Sequence, residues 1–408
     1  MNGQGYLKYD SEANRSILGY ILLFTYILST YIAQPPIMSS KFNSLFLYLM
    51  IGFTLLKIIS ELGGLNIRSY TYWYLGLILY SIMTYLYSED SGVVLESSYQ
   101  LVVVIIITFV ITYYLNDTED FPIIINYFAF SGIILSAFLL NMGLISYDLR
   151  FREDIFGNAN AFALIITISE ICLVWLFFYG NKKLKWIYAP IACLMFYFLL
   201  LSGGRKFIIV SLLFVYIIII LKYYKAQKKK LVLFTLLFLL ILVGVYFAVF
   251  QFKPIYNVVG YRFEGLMNAI TGRGKIDLST LRRERMIEFG LAAFKDKPLF
   301  GHGLDNYKVL YFMKSGIYDY AHNNYIELLV DFGIIGFSLY YGYFVYLIYQ
   351  LRRIKNDPSG LKDFFMGLLL ILLVNDYGAV TYNLIQIQIL LAMAGSYVWI
   401  KRKREIAE

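Results

Sequence analysis

Arginine recurs in three stretches of this chain where glycine, asparagine or a short amphipathic run stands beside it. They are "LRFREDIFGNANAF" (149–162), "SGGRKF" (202–207) and "STLRRERMIEFGLAAFKDKP" (279–298). A guanidinium offers a planar fork of donors that matches phosphate or carboxylate. Arg152, Arg205, Arg282, Arg283, Arg285 and Lys206 are therefore candidates to hold an anion, with Asn160 beside them. A fourth stretch, "YAHNNYIELLVDFGIIGF" (320–337), carries His322, one of two histidines in 408 residues, just ahead of an apolar run. An imidazole can exchange a proton near neutral pH. The plainer readings are a salt-bridged or snorkelling arginine and a histidine that caps a helix or bonds a loop carbonyl.

The elements that must position these residues are set by composition. The chain is 60% hydrophobic and 15% charged, against about 45–50% and about 25% in soluble domains. Apolar runs long enough to span a bilayer at roughly 20 residues recur along its length. The expectation is an all-α polytopic membrane protein of about twelve spans. They fall near 17–33, 44–60, 69–87, 98–115, 121–143, 159–179, 184–201, 206–223, 231–251, 326–351, 363–381 and 384–400. The first run reads as an uncleaved helix. The division is a helix bundle (1–251, spans one to nine), a loop with amphipathic helices (252–325), and spans ten to twelve with a basic tail (326–408).

Four basic clusters, "GNKKLK", "LKYYKAQKKK", "LRRIK" and "KRKR", fall on one side with the amino terminus. Lys and Arg next to spans resist translocation, so that side is read as cytoplasmic. The net charge of +9 is accounted for largely by anchoring at anionic lipid and calls for no nucleic acid. Cys172 and Cys193 lie in apolar spans and read as buried free thiols.

The long connection from about residue 251 to 325 is expected to fold, because structureless loops of that length are uncommon. After Thr280 it reads as an amphipathic helix ending before Pro298, with Ile287, Leu291 and Phe294 on one stripe. Arg283 falls on that stripe, whereas Arg282 and Arg285 point towards the polar side. An arginine on a buried face is costly unless it meets an anion.

Four stretches, "FREDIFGNANAFA", "LSGGRKF", "RRERMIEFGLAAFKDKPLFGHGLDNY" and "AHNNYIELLVDFGIIG", carry a resemblance. In this order and spacing the chain resembles the O-antigen polymerase and O-antigen ligase superfamily of bacterial envelope glycosyltransferases. The resemblance covers 151–337; the first five spans match only as generic apolar helices. It implies a metal-independent glycosyltransferase without cofactor, and the chain shows no Asp-x-Asp metal-sugar motif. The donor would be a glycan on undecaprenyl pyrophosphate, at the external or periplasmic face of the bacterial inner or cytoplasmic membrane. Both termini would be cytoplasmic. Membrane lipids are implied partners, and a chain-length regulator protein is another.

Residue by residue, Arg283 matches the family's loop arginine, Arg205 the arginine of the short link and His322 the histidine before the span. Arginine would hold the departing pyrophosphate as charge grows on it. His322 would take the proton of the incoming hydroxyl. Glu327 would orient the helix start or carry a proton. His302 reads as a turn residue.

Tyr307, Tyr320 and Tyr325 are the tyrosines placed to stack on sugar. Gly333 and Gly336 read as a small-residue packing face. Glu170 and Asp376, charged groups in or near spans, are either functional or interhelical hydrogen-bond partners. Three functions compete: polymerase for O-antigen, capsule or another exopolysaccharide; ligase to a lipid core; and transporter or flippase. A transporter would carry its polar groups near the midplane and show related halves, and neither pattern is present in the sequence.

Overall fold

The computed structural model describes residues 16–33, 39–61, 67–141, 159–224, 227–272, 274, 278–355 and 357–407. The chain is all-α, and among the described residues there is no strand. The bundle opens with α1 (Ile17–Ile32), α2 (Lys41–Glu61), α3 (Ser69–Met83), α4 (Ser91–Tyr113), α5 (Asp120–Asn141), α6 (Ala159–Tyr179), α7 (Lys185–Leu201), α8 (Arg205–Tyr223) and α9 (Lys228–Phe250). The loop supplies α10 (Tyr261–Thr271), α11 (Leu278–Asp296) and α12 (Tyr307–Ser315). Then come α13 (Asn324–Arg353), α14 (Leu361–Asp376) and α15 (Ile385–Ala407). Each of the twelve apolar runs falls on one of α1–α9 or α13–α15. Among the described residues, seven helices (α2, α4, α5, α6, α8, α9 and α13) are long and apolar enough to cross a membrane, and α1 and α7 are apolar but shorter.

α6 lies inside the bundle, between α5, α7 and α8, and buries Phe162, Ile166 and Leu173 completely. α2 and α9 are peripheral. Leu55, Leu56 and Ile59 on the first, and Leu236, Leu240 and Phe247 on the second, stay exposed, as expected of helices that are apolar on all sides and face lipid. Lipid gives apolar helices little reason to prefer each other, so polar contacts contribute to pairing. Ser169 Oγ donates to the Phe128 carbonyl at 2.9 Å, joining α6 to α5. Ser211 Oγ donates to Glu170 Oε1 at 2.7 Å, joining α8 to α6. Asp376 is fully buried and accepts from Thr381 Oγ1 at 2.6 Å, Tyr341 Oη at 2.8 Å and Asn324 Nδ2 at 3.3 Å. Both carboxylates thus bridge elements. Both cysteines are free, but only Cys172 is buried. Cys193 sits on the outward face of α7, because an apolar run alone does not tell which face meets lipid.

The loop folds against the start of α13. Met286, Ala293, Tyr307, Tyr311, Ala321, Ile326 and Val330 form a small apolar core of their own. The buried stripe of α11 is Met286, Gly290 and Ala293, whereas Leu291, expected inside, is 45% exposed. The correction turns the helix by about one residue. Arg283 remains on the inward side, one turn ahead of Met286 (i, i+3), and is half-buried while Arg282 and Arg285 are exposed.

α13 is not one continuous helix. Gly333 takes φ 62° and ψ −168° and breaks it. A broken helix leaves N–H and C=O groups that must find partners. The turn Pro298–Gly303 supplies them. Ile334 N donates to the Pro298 carbonyl at 2.9 Å and Ile335 N to the Leu299 carbonyl at 3.3 Å, while His302 N donates to the Val330 carbonyl at 2.8 Å and Gly303 N to the Asp331 carbonyl at 2.9 Å. The two backbones come so close that a Cβ on Gly333 would lie 2.3 Å from the Leu299 carbonyl oxygen, and one on Gly301 2.5 Å from that of Asp331. Gly333 is thus a backbone junction and not the small-residue packing face expected. Gly336 would meet Phe332 and Tyr80.

A candidate active site at one end of the bundle

A cavity of about 450 Å³ opens where α6, α8, α13 and α15 begin and α14 ends. The four basic clusters lie at the opposite ends of these helices, where Arg404 pairs with Asp117 and Lys401 with Asp357. Five residues singled out from the sequence line the cavity together: Asn160, Lys206, Tyr320, His322 and Glu327. They come from three segments far apart in the chain.

His322 stands immediately before the cap of α13. Asn323 caps that helix, its Oδ1 accepting from Tyr325 N at 3.0 Å and Ile326 N at 3.2 Å. His322 itself has φ 53°, and Asp305, across the cavity lining, has φ 60°. Among the described residues these are the two non-glycine positions in the left-handed region. Such conformations cost on the order of 1–3 kcal/mol and gather at functional sites. Glu327, 1% exposed, accepts from Ala321 N through Oε2 at 2.6 Å and so fixes the backbone leading to His322. The imidazole lies 4.0 Å, centroid to centroid, from the ring of Tyr320, which also lines the cavity. Its Nε2 is 3.6 Å from Asp319 Oδ2, and Arg282 Nη2 donates to that same oxygen at 2.9 Å.

Burial first, then the neighbouring Arg283, pushes the His322 pKa down to about 4, with Lys206 acting in the same direction and Asp319 opposing. His322 is therefore neutral at pH 7, with a lone pair free to accept a proton. Between its ordinary value of 6.5 and about 4, the unfolded chain takes up a proton that the folded chain refuses. This group's linkage makes the fold less stable as pH falls through that window. With two histidines in the chain, imidazole resonances are simple to follow. In a pH titration by NMR, His322 is expected to stay neutral at pH 5.5. In Arg283→Ala its midpoint should rise towards the ordinary histidine value. A midpoint unchanged by the substitution would show that Arg283 does not act on it.

The arginines divide by role. Arg205 donates through Nη1 to the Arg262 carbonyl and through Nη2 to Ser279 Oγ and Thr280 Oγ1, both at 3.3 Å. Arg262, 8% exposed, donates in return to the Gly203 carbonyl at 3.0 Å. The link between α7 and α8 is thus stitched to α10 and to the first turn of α11, just ahead of Arg283. Lys206 reaches the cavity and donates to the Gly378 carbonyl at 2.7 Å. Arg205, Arg282, Arg283, Arg285 and Tyr325 are not among the residues lining the cavity, although Arg283 is close enough to act on both His322 and Lys206. Arg152 lies outside the described residues.

Two tyrosines expected at sugar are engaged elsewhere. Tyr307 is fully buried and donates to the Met286 carbonyl at 2.8 Å. Tyr325 donates to the Leu373 carbonyl at 2.6 Å and stacks on Tyr341 at 4.9 Å. His302 is a structural residue of the turn. Its Nε2 lies 3.0 Å from the Ala293 carbonyl and its Nδ1 3.2 Å from Glu89. Glu89 is held below the usual carboxylate range by hydrogen bonds from Lys297 and His302.

Sequence reasoning missed Asp305 and Lys308, an ion pair on the cavity lining. Asp305 Oδ2 also accepts from Ser97 at 2.6 Å. The sequence signal was an aspartate just after a Gly-x-Gly turn, a residue type that tolerates the left-handed region.

Residues 190–341 match a family model described as O-Antigen ligase. This segment is thus similar to O-antigen ligase. The match takes in the α7–α8 link, the whole loop and the broken start of α13, so Arg205, Lys206, Arg283, His322 and Glu327 all fall within it. The long apolar helices are those of a multi-pass membrane protein. A search of the curated proteins gives no match to the chain.

Proposed function

We propose that this protein joins glycan repeat units carried on undecaprenyl pyrophosphate, at the outer face of the cytoplasmic membrane. The observation that carries the reading is the meeting of His322 and Lys206 in one cavity, with Arg283 acting on both. The acceptor sugar's hydroxyl gives its proton to neutral His322 as its oxygen bonds to the donor's anomeric carbon. The bond from that carbon to the pyrophosphate oxygen breaks. Lys206 and Arg283 meet the charge that grows on the leaving group, which suits a low-dielectric site. His322, now charged, passes its proton to Asp319 or to water. Cationic side chains supply the stabilisation, so the reading calls for no metal. Arg205 and Arg282 position the machinery, the first through α11 and the second through Asp319. The termini and the basic clusters face the cytoplasm, and 252–325 forms an external unit on the bundle of 1–251 and 326–408.

The test uses purified protein with its lipid-pyrophosphate oligosaccharide, a chelator and no second acceptor, with products resolved by size. A ladder of multiples, lost in His322→Ala, is the expected result. Elongation only after a lipid-core acceptor is added would make the enzyme a ligase. Turnover that stops with the chelator would sink the cation-only mechanism. No glycosidic product with any acceptor would return transport to the front.

A further inference from the structure

The cavity is rich in side-chain amides. Gln100, Asn375, Asn383 and Gln386 line it from α4, the end of α14, the α14–α15 link and α15. Elsewhere in the same region, amides are used up by the fold. Asn324 donates to Tyr341 and Asp376 and accepts from Thr381 N and Tyr382 N. Gln388 is held by Tyr70, Tyr340 and Thr381, and Asn306 by Asp90 and Leu304. These four amides make no side-chain hydrogen bond to any described residue. For Gln100, which is exposed, water meets that need. For Asn375 it does not. This residue is 3% exposed, and its Oδ1 is sealed without a partner. A buried acceptor left unpaired is costly, of the order of 1–3 kcal/mol. Folded proteins keep few such groups, and each calls for a partner such as a bound water, an ion or a ligand. The one on Asn375 stands apart from the others, such as those of Ser131 and Tyr397, in lining the cavity.

We infer that Gln100, Asn375, Asn383 and Gln386 form a glycan subsite, with Asn375 as its buried anchor for a sugar hydroxyl. The inference rests on the proposed function and adds to it the part of the substrate that the cations do not read. A carboxamide carries a donor and an acceptor side by side. A sugar hydroxyl is both at once and can engage the two together. Tyr320 and Tyr382 line the same space, and the half-buried Tyr320 can offer its ring to a pyranose. The cationic residues recognise the pyrophosphate, which every carrier lipid shares. The amides recognise hydroxyl positions, which differ from one glycan to another. Replacing them should change which glycan is accepted without changing how the phosphate is held.

The experiment compares binding of two probes to the purified full-length protein. One is the free oligosaccharide released from the host's own carrier lipid; the other is a short isoprenyl pyrophosphate without sugar. Asn375→Leu is expected to weaken the oligosaccharide about three- to tenfold, the effect of losing one or two neutral hydrogen bonds. Binding of isoprenyl pyrophosphate should stay within twofold, which also shows that the variant is folded. Asn375→Asp, which keeps the acceptor, should recover much of the oligosaccharide binding. Gln386→Leu should add to the loss.

Weaker pyrophosphate binding in Asn375→Asp, with the sugar unaffected, would make Asn375 a phosphate contact and overturn the inference. So would wild-type protein that binds the pyrophosphate and not the oligosaccharide, a result that leaves the proposed function standing. Protein that binds neither probe would remove both.

Discussion

Arg283→Ala is expected to lower glycan transfer about 100- to 1,000-fold, the range seen when one donor to a developing anion is removed. The amount of protein in the membrane should be unchanged, because the side chain is half-buried in the loop and not in a span. Arg283→Lys should recover part of the rate, since charge is kept and the fork is lost. Arg205→Ala should also be severe, but for a different reason. Its partners are the Arg262 carbonyl, Ser279 and Thr280, so its loss frees α11 and lets Arg283 drift. Protease should therefore cut the loop of Arg205→Ala faster than that of Arg283→Ala. Full activity in both variants would remove the cation clamp from the mechanism.

Gly333→Val should be the most damaging single change to the architecture. A side chain here meets the Leu299 carbonyl at 2.3 Å, and a β-branched residue has no comfortable conformation at φ 62°. Strain of about 1–3 kcal/mol adds to the loss of backbone hydrogen bonds between the turn and the break, each about 1 kcal/mol. The expected result is a protein whose bundle still assembles but whose loop no longer docks. It should show no transfer and rapid proteolysis between Pro298 and Gly303. Gly336→Ala would crowd Phe332 Cβ at 2.4 Å and Tyr80 at 2.8 Å, but these are side chains and the backbone there is not left-handed, so it should be milder. Equal protection of the loop in Gly333→Val and the parent would show that the junction does not hold it.

The helices were legible because span length and apolarity need no knowledge of partners. His322, Lys206 and Asn160 could be singled out because each stands at the end of a span, where a polar residue is conspicuous. Faces were harder to read. Arg283 was placed inward, yet by way of Leu291, which lies outside; Met286 and Gly290 form the true stripe. Arg205 was read as a phosphate ligand, but it bonds to a carbonyl 57 residues away, a pairing that local pattern cannot reveal. Asn375 and Gln386 passed unnoticed because one polar residue near the end of an apolar run does not say what it faces. Gly333 was misread because Gly-x-x-Gly suits a packed helix and a broken one equally well.

The junction at Gly333 also bears on biogenesis. Residues 298–303 are synthesised before 330–335, so the donors and acceptors that complete α13 exist before the break arrives. The segment beyond the break, Ile334 to Arg353, holds about 20 residues and spans ~30 Å, enough to cross the hydrocarbon by itself. Insertion of this span and folding of the loop are therefore separable events, joined by one backbone seam. A chain with a misfolded loop would enter the membrane normally and yet present an open helix end, a signal that quality control can read.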